Sequence, residues 1–178
     1  HEEKSGASTD SKEEGFHKFF IPYLFNIFNN TCYMKKICFV VSNSFFINAF
    51  LNDPIKILSK HYSVYIICNT SNDDNIEIEN LNIKKVFSIN LIRKIAPFSD
   101  LVSLIQICKI IREEKFDVIH TLTPKAGLLG IVASYFMRVP NRFHTFTGQV
   151  WISKKGVIKF LLIALDKLVI RLSTQIIV

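Results

Sequence analysis

The sequence predicts an α/β fold: a doubly wound, mainly parallel sheet of about six strands flanked by helices. Three observations carry this. From residue 36 on, short apolar runs alternate with longer stretches of helical period, the pattern of strand–helix–strand units. Runs such as ICFVV (37–41) and VYIIC (64–68) are continuously apolar, as strands buried on both faces must be. Finally, FDVIHTLTPKAG (116–127) ends an apolar run in polar side chains and opens a helix at once. Right-handed crossovers fold such units into one sheet.

Residues 1–15 are rich in Ser, Glu and Gly and predict disorder; 16–28 are aromatic and interrupted by Pro22. The α/β pattern begins directly after Met34, so the expected organisation is an extension over 1–33 and one domain over 34–178. A first strand spans 36–42. The helix after it, 46–60, places Phe46, Phe50, Leu51, Ile55 and Leu58 inward, with Pro54 kinking or restarting it. A second strand covers 62–68, a polar loop 69–75 and a third strand 83–89. Pro97 introduces a helix capped by Ser99 or Asp100, with Leu101, Leu104, Ile105, Cys108 and Ile111 as its apolar stripe and 112–115 in solvent. The fourth strand ends near His120 and Thr121. Thr123 is the expected N-cap of the next helix and Pro124 its first residue. Ala126, Gly127, Gly130 and Ala133 let that helix press on the sheet. A fifth strand (142–146), a loop (147–151), a helix (156–172) and the start of a sixth strand (174–178) follow. The chain stops inside an apolar run, which predicts a continuation.

Composition narrows the function. With 178 residues, 49% apolar residues and sixteen Phe, the chain holds enough apolar material for one sizeable core. The formal charge of +7 points to an anionic partner: nucleic acid, membrane surface or phosphorylated substrate. The basic residues are scattered as short pairs, Lys35–Lys36, Lys84–Lys85 and Lys154–Lys155, which argues against nucleic acid. Cys32, Cys38, Cys68 and Cys108 have no metal-site spacing, and buried free thiols in a reducing compartment are expected. No apolar run reaches the ~18 residues of a membrane span. Neither a GxGxxG, a Walker A nor a GxSxG motif is present, and no cofactor or metal is expected.

Two polar clusters end the fourth and fifth strands. The first is His120, Thr121, Thr123 and Lys125; the second is His144, Thr145, Thr147, Gly148 and Gln149. On adjacent strands both open on one sheet edge, where α/β sheets bind ligands, and suit a hydroxyl-rich, partly anionic ligand such as a sugar phosphate. Each histidine alone also fits a core residue satisfied by hydrogen bonds. Lys125, at a helix start, opposes the helix dipole, or is simply solvated. Asp117, at the other end of its strand, reads as a solvated turn residue. Trp151 is either a stacking platform or a core aromatic. The helix over 156–172 carries apolar residues around more than one stripe, so most of it should be buried, with Lys154, Lys155, Lys159, Lys167 and Arg171 free to face an anionic membrane.

The stretches FDVIHTLTPKAGLLG (116–130) and VPNRFHTFTGQVW (139–151) together resemble the N-terminal domain of family 4 glycosyltransferases, of the bacterial type that assembles capsule, O-antigen and related glycans. Residues 93–101 (RKIAPFSDL) resemble the segment before that family's third helix, and the likeness runs in order from Lys35 to Val178. It implies the Rossmann-like N-terminal half of a two-domain GT-B enzyme that transfers sugar with retention and without a required metal. That half mainly holds the acceptor, while the nucleotide-sugar donor sits mainly in a C-terminal domain beyond this chain. Carried over, His120 contacts the acceptor or the transferred sugar. Thr121, Thr123, Lys125, His144, Thr147, Gly148 and Gln149 line the cleft. Ser44 lies in the first loop, near the donor diphosphate in many relatives, although that loop has no glycine here. The implied acceptor is a glycan or a polyprenyl-diphosphate-linked sugar, at the inner face of the cytoplasmic membrane, and the fragment alone is expected not to transfer sugar. The alternatives are a flavodoxin-like binding module or another GT-B enzyme such as a sugar-nucleotide epimerase, though strand-end carboxylates for the latter are absent.

Overall fold

The computed structural model describes residues 34–70, 81–91, 96–148 and 150–177. The expected extension over 1–33, most of the 69–75 loop, residues 93–95 and Gln149 lie outside the described residues. The strands are β1 (Lys36–Val40), β2 (Ser63–Cys68), β3 (Ile83–Ser88), β4 (Val118–Leu122), β5 (Asn141–Thr145) and β6 (Gln175–Ile177). They form one sheet in the order β3-β2-β1-β4-β5-β6, and every pairing is parallel. The expected fold class is therefore present, with β4 and β5 adjacent.

The helices are α1 (Asn52–Leu58), α2 (Pro97–Glu114), α3 (Pro124–Phe136) and α4 (Gly156–Leu172). A π-helical segment, Ile47–Leu51, precedes α1. Pro54 thus falls in the first turn of a restarted helix, where its missing N–H breaks no helical bond. Ile47, Leu51, Ile55 and Leu58 pack on one face of the sheet with Phe39, Ile66 and Phe143. Ile107 and Ile111 of α2 and Ala126, Leu129 and Ala133 of α3 pack on the other, with Cys38, Val40 and Ile119. Cys38 and Cys68 are buried free thiols, and burial pushes both above the ordinary thiol range.

Two helices turn differently from their sequence pattern. In α2 the buried positions are Ser103, Ile107 and Ile111, while Leu101 and Ile105 are 57% and 60% exposed. Apolar residues surround so much of α2 that hydrophobicity does not select a face. Polar contacts do: Ser103 Oγ donates to the Asn90 carbonyl at 3.0 Å, and Asp100 pairs with Lys125 of α3. The N-cap position of α2 is Ala96 rather than Ser99 or Asp100. The second case is α4, where only Val169 is buried and Val157, Ile158, Phe160 and Leu161 are exposed.

At the amino edge, Asp117 is not a free turn residue. Its Oδ2 accepts from the Lys36 backbone N–H at 2.8 Å, fastening β4 to β1. Glu114, at the end of α2, pairs with both Lys36 and Lys85 rather than facing solvent alone.

The seat of α3 is set by glycine. A Cβ on Gly130 would stand 2.6 Å from Thr121 Cγ2 and 3.5 Å from Val40 Cβ. Gly130→Ala should therefore destabilise the fold by about 1–3 kcal/mol through overpacking, although alanine is the better helix former by about 1 kcal/mol. Urea denaturation measures this, and an unchanged or raised midpoint would refute the tight seat.

Candidate functional site

The helical segment after β1 packs on one sheet face and α3, after β4, on the other. The carboxyl ends of β1 and β4 therefore form the topological switch point, where such sheets leave a crevice. Ser42 follows β1 and Thr123 follows β4. Both are buried, and their hydroxyls are 2.6 Å apart. Thr123 occupies the N-cap position of α3, with Pro124 first in the helix, but it makes no side-chain cap; its hydroxyl is turned to Ser42 instead. Its backbone has φ 70° and ψ 143°, unusual for a β-branched residue. Beside them Ser44 is fully buried, and Ser44 Oγ and Asn43 Oδ1 have no hydrogen-bond partner among the described residues.

The two histidines are paired crosswise with threonines. His120 Nε2 lies 2.8 Å from Thr145 Oγ1, and His144 Nδ1 lies 2.8 Å from Thr121 Oγ1. Because side chains alternate along a strand and His120 is in register with Phe143, the imidazoles stand on opposite faces of the sheet. His120 packs against Phe39 and Phe143, with ring centroids 5.3 and 6.3 Å away. His144 lies under α3, where a Cβ on Gly127 would come within 2.3 Å of its Cε1, and Phe146 meets it edge-on at 4.5 Å. The rings thus do not converge on one opening. Thr121 Oγ1 donates to the Phe143 carbonyl at 3.2 Å, so it accepts from His144, which places the neutral proton of His144 on Nδ1.

Burial holds both rings uncharged. It lowers His120 to about 3, with the neighbouring His144 adding to the effect, and lowers His144 to about 4, against a smaller opposing contribution from a hydrogen bond with the Thr121 backbone. Neither supplies positive charge at neutral pH. Lys125 Nζ sits 2.6 Å from Asp100 Oδ1, both side chains largely buried, so this cation at a helix start is balanced by a carboxylate. Thr147 and Gly148 are exposed beyond the end of β5, Gly148 at φ 150°. Gln149 lies outside the described residues. Trp151 is half-buried, neither a free platform nor a core residue: its Nε1 donates to Asp166 Oδ2 at 3.0 Å, and Lys159 Nζ lies 5.7 Å from its ring centroid. Among the described residues no three metal-ligating side chains converge. Sequence patterning did not single out two members of the site, Ser42 and Asp100. Both act through partners distant in the chain, which only the strand order and helix layer bring near.

The buried histidines set a pH dependence. Unfolded, each titrates near 6.5; folded, near 3 and 4. Below 6.5 the unfolded chain therefore binds more protons, and stability falls with pH until the folded values are reached. The expected slope is about 1.4 kcal/mol per pH unit for each ring. Urea midpoints between pH 6.5 and 5 measure it, and His144→Gln should remove about half of the slope. A flat profile would mean that the rings are protonated or exposed.

The glycosyl transferase 4-like family model matches residues 36–178. The chain is 31% identical over 118 residues to the Staphylococcus aureus capsular polysaccharide biosynthesis glycosyltransferase CapM, covering 66% of this chain and 30% of that protein. It is 30% identical over 97 residues to the Escherichia coli UDP-Gal:alpha-D-GlcNAc-diphosphoundecaprenol alpha-1,3-galactosyltransferase, covering 54% of this chain and 25% of that one. The match thus spans about a third or less of either relative. In fold, a crystal structure of MurG from Acinetobacter baumannii superposes with a TM-score of 0.56 at 15% identity, over 80% of this chain and 40% of that one. With the parallel sheet and both strand-end motifs inside the matched region, the chain belongs to the glycosyl transferase 4-like family.

Proposed function

We propose that the chain is the acceptor-binding N-terminal domain of a retaining glycosyltransferase that moves a sugar from a nucleotide-sugar donor to a lipid-linked glycan acceptor in the assembly of a bacterial surface polysaccharide. The family match over 36–178 carries this reading. The crevice chemistry supports it: hydroxyls of Ser42, Ser44 and Thr123 at the switch point, with Thr147 beyond β5, suit hydrogen bonding to a polyhydroxylated ligand. The E. coli relative acts, by its name, on UDP-Gal and GlcNAc-diphosphoundecaprenol, a donor and acceptor of this kind. In this proposal His120 exchanges its bond to Thr145 for a hydroxyl of the acceptor or the transferred sugar, as a neutral hydrogen-bonding group. Thr121, Thr123, Lys125, His144, Thr147, Gly148 and Gln149 line or stiffen the same wall, and Ser44 lies toward the donor. Stabilisation of the departing diphosphate falls to a second domain, so this chain by itself transfers nothing.

The test is radiolabelled sugar transfer by the full-length protein from a panel of UDP-hexoses to diphosphoundecaprenol-linked acceptors. His120→Gln should lower kcat/KM by about one to two orders of magnitude, the loss of a buried hydrogen bond. Turnover by the chain alone, or an unimpaired His120→Gln, would overturn this reading.

Membrane contact belongs to the same proposal. No described helix is long and apolar enough to cross a membrane. Val150, Ile152, Val157, Ile158, Phe160 and Leu161, at and before the start of α4, are exposed, and Lys154 and Lys155 stand exposed among them. An apolar face ringed by cations matches an anionic bilayer surface, each lysine adding about 1 kcal/mol. The full-length protein should co-sediment with phosphatidylglycerol vesicles and not with phosphatidylcholine vesicles, and Lys154→Glu with Lys155→Glu should abolish this. Equal sedimentation with both lipids, or an unaffected variant, would remove the membrane from the proposal.

A further inference from the structure

We propose that Asp100 is a specificity-determining residue: by pairing with Lys125 it cancels positive charge at the crevice wall, so that the wall admits sugar hydroxyls and turns phosphate away. The inference rests on the acceptor-side reading of the crevice and adds which end of a diphosphate-linked acceptor enters. A lysine in the first turn of a helix adds its charge to the positive end of the helix dipole, and the two together attract anions. Lys125 is the second residue of α3, yet its Nζ is 2.6 Å from Asp100 Oδ1, with the two side chains 15% and 22% exposed. The anion at this helix start is therefore the protein's own.

Asp100 is built to stay there. It lies in the first turn of α2, where the dipole of its own helix favours a carboxylate. Its Oδ2 accepts from the Ala96 backbone N–H at 3.4 Å, and its backbone N–H donates to the Ala96 carbonyl at 2.8 Å. Side chain and backbone are thus both fixed to the start of α2, one carboxylate oxygen serving that helix and the other the Lys125 ammonium. Separating a pair so far removed from water leaves a charge uncompensated, and a phosphate approaching Lys125 meets a carboxylate of its own sign. His120 and His144, the other nitrogen bases of the two strand-end clusters, are held neutral by burial and offer phosphate no charge either. The switch-point hydroxyls of Ser42, Ser44 and Thr123 suit a sugar by hydrogen bonding. A diphosphate-linked acceptor accordingly enters sugar first.

The probe is inorganic pyrophosphate, titrated into the chain by calorimetry. Asp100→Asn keeps the shape of the side chain and an oxygen for the Ala96 N–H while removing the charge. It should bind pyrophosphate about tenfold more tightly than the wild type, the size of one charge-assisted bond. In Asp100→Asn combined with Lys125→Gln the gain should vanish, and Lys125→Gln alone should bind as the wild type does. In the transfer assay on the full-length protein, Asp100→Asn should lower kcat and the acceptor KM together, each about tenfold, because the acceptor diphosphate then binds unproductively where its sugar belongs. Asp100→Glu, which restores the charge, should recover both. Equal pyrophosphate binding by Asp100→Asn and the wild type would overturn the proposal, as would a gain that persists in the double variant or a loss of affinity in Lys125→Gln alone. A raised or unaltered acceptor KM in Asp100→Asn would overturn the role in orienting the acceptor. Calorimetry needs no turnover, so a wild-type protein inactive with every donor would count against the function and leave the charge pairing to be decided by pyrophosphate.

Discussion

The close seat of α3 on β4 and β5 is the constraint on which the rest depends. It exists because positions 127 and 130 carry no side chain: a methyl at the first would meet the His144 ring and at the second Thr121. That seat covers His144 and so favours its neutral state, while the register of β5 on β4 brings its Nδ1 to Thr121. It also fixes where α3 begins, and therefore where Thr123 must stand relative to Ser42. Close packing of this order transmits any change of volume directly to its neighbours. A helix two ångströms farther out would leave the histidine wet and the crevice lip undefined.

Much of the architecture was legible because parallel strands buried on both faces leave an apolar signature that helices interrupt. The strand positions, the restart at Pro54 and the small-residue face of α3 all read directly from residue type. What did not read were rotations and partners. The stripe through Leu101 and Ile105 failed because α2 is apolar over most of its circumference, and a pair of polar contacts turned it. The burial expected of α4 failed because hydrophobicity states what a surface prefers, not whether this chain supplies its cover.

The candidate site shows the same division. That His120, Thr121, His144 and Thr145 belong together was visible in two similar motifs on neighbouring strands. Their crosswise pairing was not, since it follows from the register of β4 on β5, and register flips every side chain between faces. Lys125 looked like an isolated cation opposing a helix dipole until the α2–α3 contact supplied Asp100.

These pairings bear on how the wall works chemically. Both imidazoles are neutral, and the lysine nearest the crevice is spent on a carboxylate. Among the described residues the switch point carries the hydroxyls of Ser42, Ser44 and Thr123. Such a surface orients hydroxyl-bearing substrate by geometry and contributes little fixed charge to offset a departing diphosphate. Under the proposed function this wall presents the attacking hydroxyl, and cationic groups elsewhere receive the leaving group. Lys154 and Lys155 lie exposed before the start of α4, beside exposed apolar side chains. Under the proposed function the polar crevice takes the sugar of the acceptor, and the apolar, basic flank by α4 takes its lipid.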